Sequence, residues 1–243
     1  MADGWPLIAA AVLAAGVLRG LTGFGFALAA VPLMSLFVPP AHAVVIAILL
    51  QCLVGLRDVV AMRGLLDRQS LGLLSAGALL GTPLGVWGLA QLSSDMLRVV
   101  LALLVGAGLL ALLLKVRLSP GPGPALGAGM VSGIFAGLAA MPGPPAIAYF
   151  LGRAQPAACT RASLMVFFFV TALMALPGLY WSGQLSTGLF VQALIAFPAM
   201  LLGTWAGGIG FRRLGEGGYR TAALLLLAAM ALLTGLRGIS GLL

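Results

Sequence analysis

Two long apolar runs, residues 5–38 and 124–151, open the two halves of the chain, and each is broken in its middle by glycine or proline. The first break reads Arg19-Gly20-Leu21-Thr22-Gly23-Phe24-Gly25. The second reads Gly133-Ile134-Phe135-Ala136-Gly137, followed by Met141-Pro142-Gly143-Pro144-Pro145. Hydrocarbon offers no partner for a backbone N–H or C=O, so a break inside a membrane must face protein or a wet cavity. The first run has about 34 residues. As one helix it would be roughly 51 Å long, against a hydrocarbon core of about 30 Å. A straight crossing is therefore not expected, and each run should turn at its break.

Composition decides that the solvent is lipid. Of 243 residues, 62% are hydrophobic and 7% charged, with mean hydropathy +1.17; soluble domains carry about 25% charged residues. A net charge of +8 could suggest nucleic acid as a partner. The basic residues sit at segment ends rather than in one block, however, which fits the positive-inside rule instead. The expected partners are the lipid bilayer and a small anion, with no nucleic acid; a homodimer is left open. The start, Met1-Ala2-Asp3-Gly4, lacks the basic region of a signal peptide.

Eight apolar segments are expected, at about 5–38, 41–62, 70–91, 94–116, 124–151, 158–181, 186–211 and 218–239. The two halves match beyond their broken openings. Pro40-Ala41 corresponds to Pro156-Ala157, and Leu84-Gly85-Val86-Trp87-Gly88 to Leu202-Gly203-Thr204-Trp205-Ala206. This reads as a duplication: residues 1–118 form a first repeat, 119–124 a Pro/Gly linker and 125–243 a second repeat. If all eight segments simply crossed, the basic residues would divide six against six. If segments one and five enter and return, ten share a side: Arg57, Arg63, Arg68, Lys115, Arg117, Arg153, Arg161, Arg212, Arg213 and Arg220. Only Arg98 and Arg237 remain opposite. The second arrangement puts the basic side in the cytoplasm and both termini outside, with the second repeat inverted relative to the first. The expected fold is thus an all-α integral membrane protein of two inverted repeats, each a broken or hairpin first segment plus three transmembrane helices. Whether segments one and five are re-entrant or make two full crossings stays open.

A helix that begins inside the membrane exposes orphan N–H groups and the positive end of its dipole. Proline suits its first turn because no N–H partner is needed there, and Pro144-Pro145 fits that position. Gly20, Gly23 and Gly25 permit the matching turn in the first half. Two such N-termini meeting from opposite leaflets would form an anion site; the plainer alternative is that the glycines only let helices approach. Arg19 lies deep in an apolar run, where arginine is costly and a functional candidate by default. Its alternatives are snorkelling to a headgroup or satisfying local carbonyls, and its counterpart in the second repeat is about Ser132. The candidate binding residues are Arg19, Gly20, Thr22, Gly23, Gly25, Gln51, Gly137, Gly143 and Pro144. Gln51, Thr82, Thr171 and Gln192 could equally make interhelical hydrogen bonds. Arg57, Asp58 and Arg161 read as interfacial anchors at cytoplasmic ends.

No catalytic residue, metal site or cofactor is expected. The chain has one histidine, His42, and its two cysteines, Cys52 and Cys159, are far apart and read as buried hydrophobes. Its acidic residues, Asp3, Asp58, Asp67, Asp95 and Glu216, fall at segment ends or outside. Asp58 is the marginal candidate for a buried carboxylate. An enzyme is therefore not expected.

The run Gly20-Leu-Thr-Gly-Phe-Gly-Phe-Ala-Leu-Ala-Ala-Val-Pro32, paired with Ser132-Gly-Ile-Phe-Ala-Gly137 and Gly143-Pro144-Pro145, resembles the two signature segments of the TauE/SafE sulfite-exporter family. The similarity runs over about residues 10–237. The second break departs from the glycine cluster of many members by reading Met-Pro-Gly-Pro-Pro. The resemblance implies a bacterial inner-membrane permease for sulfite, sulfonates or related organosulfur anions. Broken helices repeated in both halves point independently to a secondary transporter with its site near the midplane. The alternatives are a channel-like or accessory membrane protein without alternating access, or a membrane enzyme.

Overall fold

The computed structural model describes residues 5–23, 25–114, 116–153 and 155–210. The eighth expected segment, the 212–217 loop and the basic residues within them lie outside the described residues. All regular structure described is helical: α1 (Trp5–Thr22), α2 (Phe26–Met34), α3 (Pro40–Met62), α4 (Arg68–Gln91), α5 (Ser94–Leu113), α6 (Pro122–Ala139), α7 (Gly143–Gly152), α8 (Ala157–Trp181) and α9 (Thr187–Gly210). Six of these, α3, α4, α5, α6, α8 and α9, are long and apolar enough to cross a membrane. The chain is a multi-pass membrane protein.

Both broken runs divide in two, at places that differ in part from expectation. Helix α1 continues through Arg19, Gly20 and Thr22, and the first break is confined to Gly23–Gly25. Helix α6 likewise continues through Gly133 and Gly137, and the second break is Ala140 to Pro142. The helices that follow are short, 9 residues in α2 and 10 in α7. At 1.5 Å per residue each covers about 15 Å, half of a hydrocarbon core.

Contacts at one end of the bundle fix the path of the second run. The Leu118 N–H, just before α6, donates to the Ala148 carbonyl near the end of α7 at 3.0 Å. Tyr149 Oη donates to the Gly121 carbonyl at 3.4 Å. The chain thus leaves α7 at the end where it entered α6. The α3–α4 loop meets the α7–α8 junction at this same end, through Asp67. Its N–H donates to Ser163 Oγ (2.9 Å), and its carboxylate accepts from the Ser70 N–H (3.2 Å) and Gln155 Nε2 (2.8 Å). The Arg153 guanidinium completes the set at 3.1 Å. Burial pushes the Asp67 carboxyl up, but the hydrogen bonds from Ser70 and Gln155 and the Arg153 charge outweigh it and hold the group below the ordinary carboxylate value.

Glycines spaced by four carry the closest helix contacts. Gly77, Gly81 and Gly85 of α4 face Leu126, Met130 and Ile134 of α6, while Gly129, Gly133 and Gly137 of α6 face Leu74, Ala78 and Thr82 of α4. Numbers rise together on both helices, so α4 and α6 run parallel. The same pattern joins α1 to α9: Gly16 meets Met200 and Gly203, and Gly20 meets Thr204 and Gly207. In each case an added Cβ would overlap partner backbone, as small-xxx-small packing requires. Gly85 and Gly203 are the residues matched in the sequence of the two halves, and each supports the broken run of the other half.

Helix α3 lies at the centre, with residues 43–51 all buried and α2 and α8 packed against it. Apolar side chains cover the outside, among them Trp87, Tyr180, Trp181 and Trp205. Such a surface suits lipid, and aromatic residues of this kind suit its interfaces.

Candidate functional site

The first break is made by two glycines in the left-handed region, Gly23 at φ 79° and Gly25 at φ 87°. Only glycine adopts this conformation without steric cost. Gly25 is the N-cap of α2, and the Ala29 N–H donates to its carbonyl at 3.2 Å. The N–H groups of Phe26, Ala27 and Leu28 precede that first bond and have no partner within the helix.

A Schellman turn makes the second break. The Ala140 N–H donates to the Ala136 carbonyl (2.8 Å) and the Met141 N–H to the Phe135 carbonyl (3.1 Å). Ala140 takes the left-handed position at φ 59°, where glycine is usual. Its carbonyl accepts from Gln51 Nε2 at 3.2 Å. Gln51 is the twelfth of the 23 residues of α3, so the second break sits level with the middle of the central helix. Helix α7 then begins with Gly143-Pro144-Pro145, the prolines occupying its first turn as expected. They also remove two of its orphan donors, leaving Gly143 to present the N–H there.

The two breaks line one cavity of about 20 Å³, room for one or two water-sized groups. Gly23, Gly25 and Phe26–Leu28 come from the first run, and Ala140 to Gly143 from the second. Val54, Met165, Phe168 and Phe169 supply an apolar wall from α3 and α8, and Gln51 and Arg19 complete it. Residues that carry orphan N–H groups, Phe26–Leu28 of α2 and Gly143 of α7, thus line the same cavity as Arg19. Arg19 is 6% exposed and pairs through Nη2 with Asp58 of α3, itself 5% exposed. Its Nη1 is buried with no hydrogen-bond partner among the described residues. Arg161 reaches in from α8; its Nη2 donates to the Gly20 carbonyl at 2.9 Å and its aliphatic stem lies against Gly23.

Of the residues singled out from sequence, Arg19, Gly23, Gly25, Gln51 and Gly143 line this cavity. Four do not. Gly20 packs on α9 and Gly137 on α4, so at these two positions the plainer packing role is what the structure displays. Thr22 Oγ1 donates back to the Leu18 carbonyl at 2.9 Å. Pro144 turns towards Gly108 of α5. Thr82 and Thr171 bond to carbonyls of their own helices rather than across an interface.

Residues 8–234 match the sulfite exporter TauE/SafE family. The chain belongs to that family. A TauE/SafE relative from Cupriavidus necator, described as a probable sulfite/organosulfonate exporter TauE, is 30% identical over 149 residues, covering 58% of this chain. The matched stretch spans 58% of that relative's length. No solved structure matches the chain.

The largest correction to the sequence reading concerns Asp58 and Arg161. Asp58 is not an exposed anchor but a buried carboxylate paired with Arg19, and half-buried Arg161 also bonds the Gly20 carbonyl of the first broken run. Both sit about one turn from a helix end, which in sequence looks like the membrane surface. Their depth is set by the end of α1 lying over them, a contact between residues 39 and 141 positions apart. An arginine deep in α1 was the available signal, since it demands a counter-charge somewhere. Met165, Phe168 and Phe169 gave no signal among so many apolar residues.

Proposed function

We propose that the chain is a secondary transporter that carries a small anion, namely sulfite, a sulfonate or a related organosulfur anion, across the bacterial inner membrane, and binds it between the two helix breaks. One observation carries this reading. Residues of both broken runs that carry orphan N–H groups line the same cavity as Arg19, whose Nη1 has no hydrogen-bond partner among the described residues, and helix N-termini with arginine are the chemistry that holds oxyanions. Family membership and the name of the Cupriavidus relative support the substrate class.

The same geometry supports an inverted duplication with repeats at 1–118 and 125–243. Helix α1 lies parallel to α9 as α6 lies parallel to α4, so each broken run rests on the third long segment of the other repeat. Asp67 ties residues 153–163 to the α3–α4 loop, which favours the arrangement with ten basic residues on one side and both termini outside. Alternating access would then rock the repeats about a site near the midplane.

The test is flux in proteoliposomes against a panel of sulfite, sulfonates and carboxylates. Saturable movement of sulfur oxyanions, abolished by Gly143→Leu and Gly25→Leu, is expected. Equal, non-saturating passage of all panel members would favour a channel and refute the transporter reading.

A further inference from the structure

Arg19 lines the cavity and is paired with Asp58, and the two ends of its guanidinium are unequal. Asp58 uses Nη2, while Nη1 of the same guanidinium has no hydrogen-bond partner among the described residues. A pair kept only to neutralise charge has no need of a vacant donor on the arginine that lines the cavity. Such pairs are in any case weak contributors to stability compared with apolar packing. An incoming anion also meets a charge problem. Beside a neutral Arg19–Asp58 pair it would bring the buried site to one net negative charge, with two anionic groups sharing one guanidinium.

We infer, on the reading of this cavity as the anion site, that the anion displaces Asp58 from Arg19 and that Asp58 takes up a proton as it is released. The balance closes without any further reactant. The anion's oxygens accept from Nη1 and Nη2, Asp58 Oδ2 loses Nη2, and one proton supplied by the buffer acid of the solvent, which becomes its conjugate base, converts the carboxylate to a neutral carboxyl. The site then holds one positive and one negative charge, as it did before. The charged groups on the surrounding elements do not substitute for this proton. Arg57 is one residue away on the exposed face of α3, and Arg161 of α8 is engaged with the Gly20 carbonyl. Helices α2 and α5, which also pack on α3, bring no charge near: α2 has none, and Asp95 and Arg98 of α5 pair with each other at 2.6 Å. Binding of one anion is thus linked to uptake of one proton, which gives the transporter a coupling ion.

The test is calorimetric titration of the purified full chain with methanesulfonate, in two amine buffers of different ionisation enthalpy and free of sulfonate groups. Methanesulfonate stays ionised across the working pH range, so any proton taken up belongs to the protein. The wild type should take up close to one proton per bound anion, with an apparent Kd rising up to about tenfold per pH unit. Asp58→Asn should bind with no proton uptake and a flat pH profile. Where that variant does not fold, the wild-type proton count and slope decide alone. Binding without uptake overturns the inference and leaves the anion site standing, as does uptake that persists in Asp58→Asn. Absence of methanesulfonate and sulfite binding to the wild type overturns the site itself.

Discussion

Gly143→Ala separates binding from folding, because affinity should fall while stability changes little. Gly143 is the first residue of α7 and lies on the cavity. Its φ is not in the left-handed region, and a Cβ there would meet Ile147 Cδ1 at 3.4 Å and Phe168 Cζ at 3.7 Å, ordinary contact distances. Alanine therefore meets no distant neighbour too closely, and at the first residue of the helix, directly before Pro144, it gains little of the stability that replacing an interior helical glycine would bring. The methyl group nevertheless fills about one water-sized volume of a cavity that measures only about 20 Å³. A tenfold loss of anion affinity is the modest expectation. The assay is the anion-induced thermal shift of purified protein. At a ligand concentration of about 100 wild-type Kd, binding stabilises the native state by about 2.7 kcal/mol, and a tenfold weaker site by about 1.4 kcal/mol. The shift should halve while the ligand-free Tm stays close to that of the wild type. A variant with an undiminished shift would show that the anion does not occupy this cavity.

Arg19→Gln alone leaves Asp58 buried without its counter-charge, a change that costs about 3–5 kcal/mol, so little folded protein should be recovered; Arg19→Gln with Asp58→Asn should restore yield without restoring flux. Gly81→Ala drives a Cβ into Met130 backbone, and its Tm should correspond to a loss of about 1–3 kcal/mol, whereas Gly106→Ala, with nothing within 4 Å, should be neutral or stabilising. In a background lacking Cys52 and Cys159, single cysteines at Gly64 and Gly121 should label from one face of the membrane and a cysteine at Gly183 from the other; labelling of Gly64 and Gly121 from opposite faces refutes the path described for α6 and α7. Asp67, held below its ordinary value, contributes stability that is fully present above the unfolded carboxylate pKa of about 3.9 and is lost as pH falls through its depressed folded value. A Tm profile from pH 6 to pH 3 should fall more steeply for wild type than for Asp67→Asn.

Segment order and the existence of two breaks were legible because both depend on local chemistry. Proline at the start of α7 and glycine at positive φ before α2 announce themselves at any depth. The exact extent of each break was not legible, since Gly20 and Gly137 look the same in sequence as Gly23 and Gly25. What separates them is a partner helix: α9 and α4 need bare backbone at Gly20 and Gly137, whereas φ requires glycine at Gly23 and Gly25. Gln51 was legible as a polar residue deep in an apolar run, and it reaches the second break. Asp58 was legible only as a marginal candidate and the Arg161 contact not at all, because position along a helix is a poor measure of burial where another segment covers the end.

The exchange of glycine contacts between the two halves of the chain also sets an order of assembly during synthesis. Gly81 and Met130, about 50 residues apart, can meet within seconds of emerging at about 5–20 residues per second. Gly16 must wait for Gly203, roughly 190 residues later, or about 10–40 s at the same rate. Arg19 is not left charged and alone for that interval, because Asp58 follows only 39 residues behind it. The first arm to enter the membrane is thus neutralised early and docked late. A chain truncated before α9 would keep its ion pair yet leave the glycine face of α1 open to lipid, a species for membrane quality control to recognise.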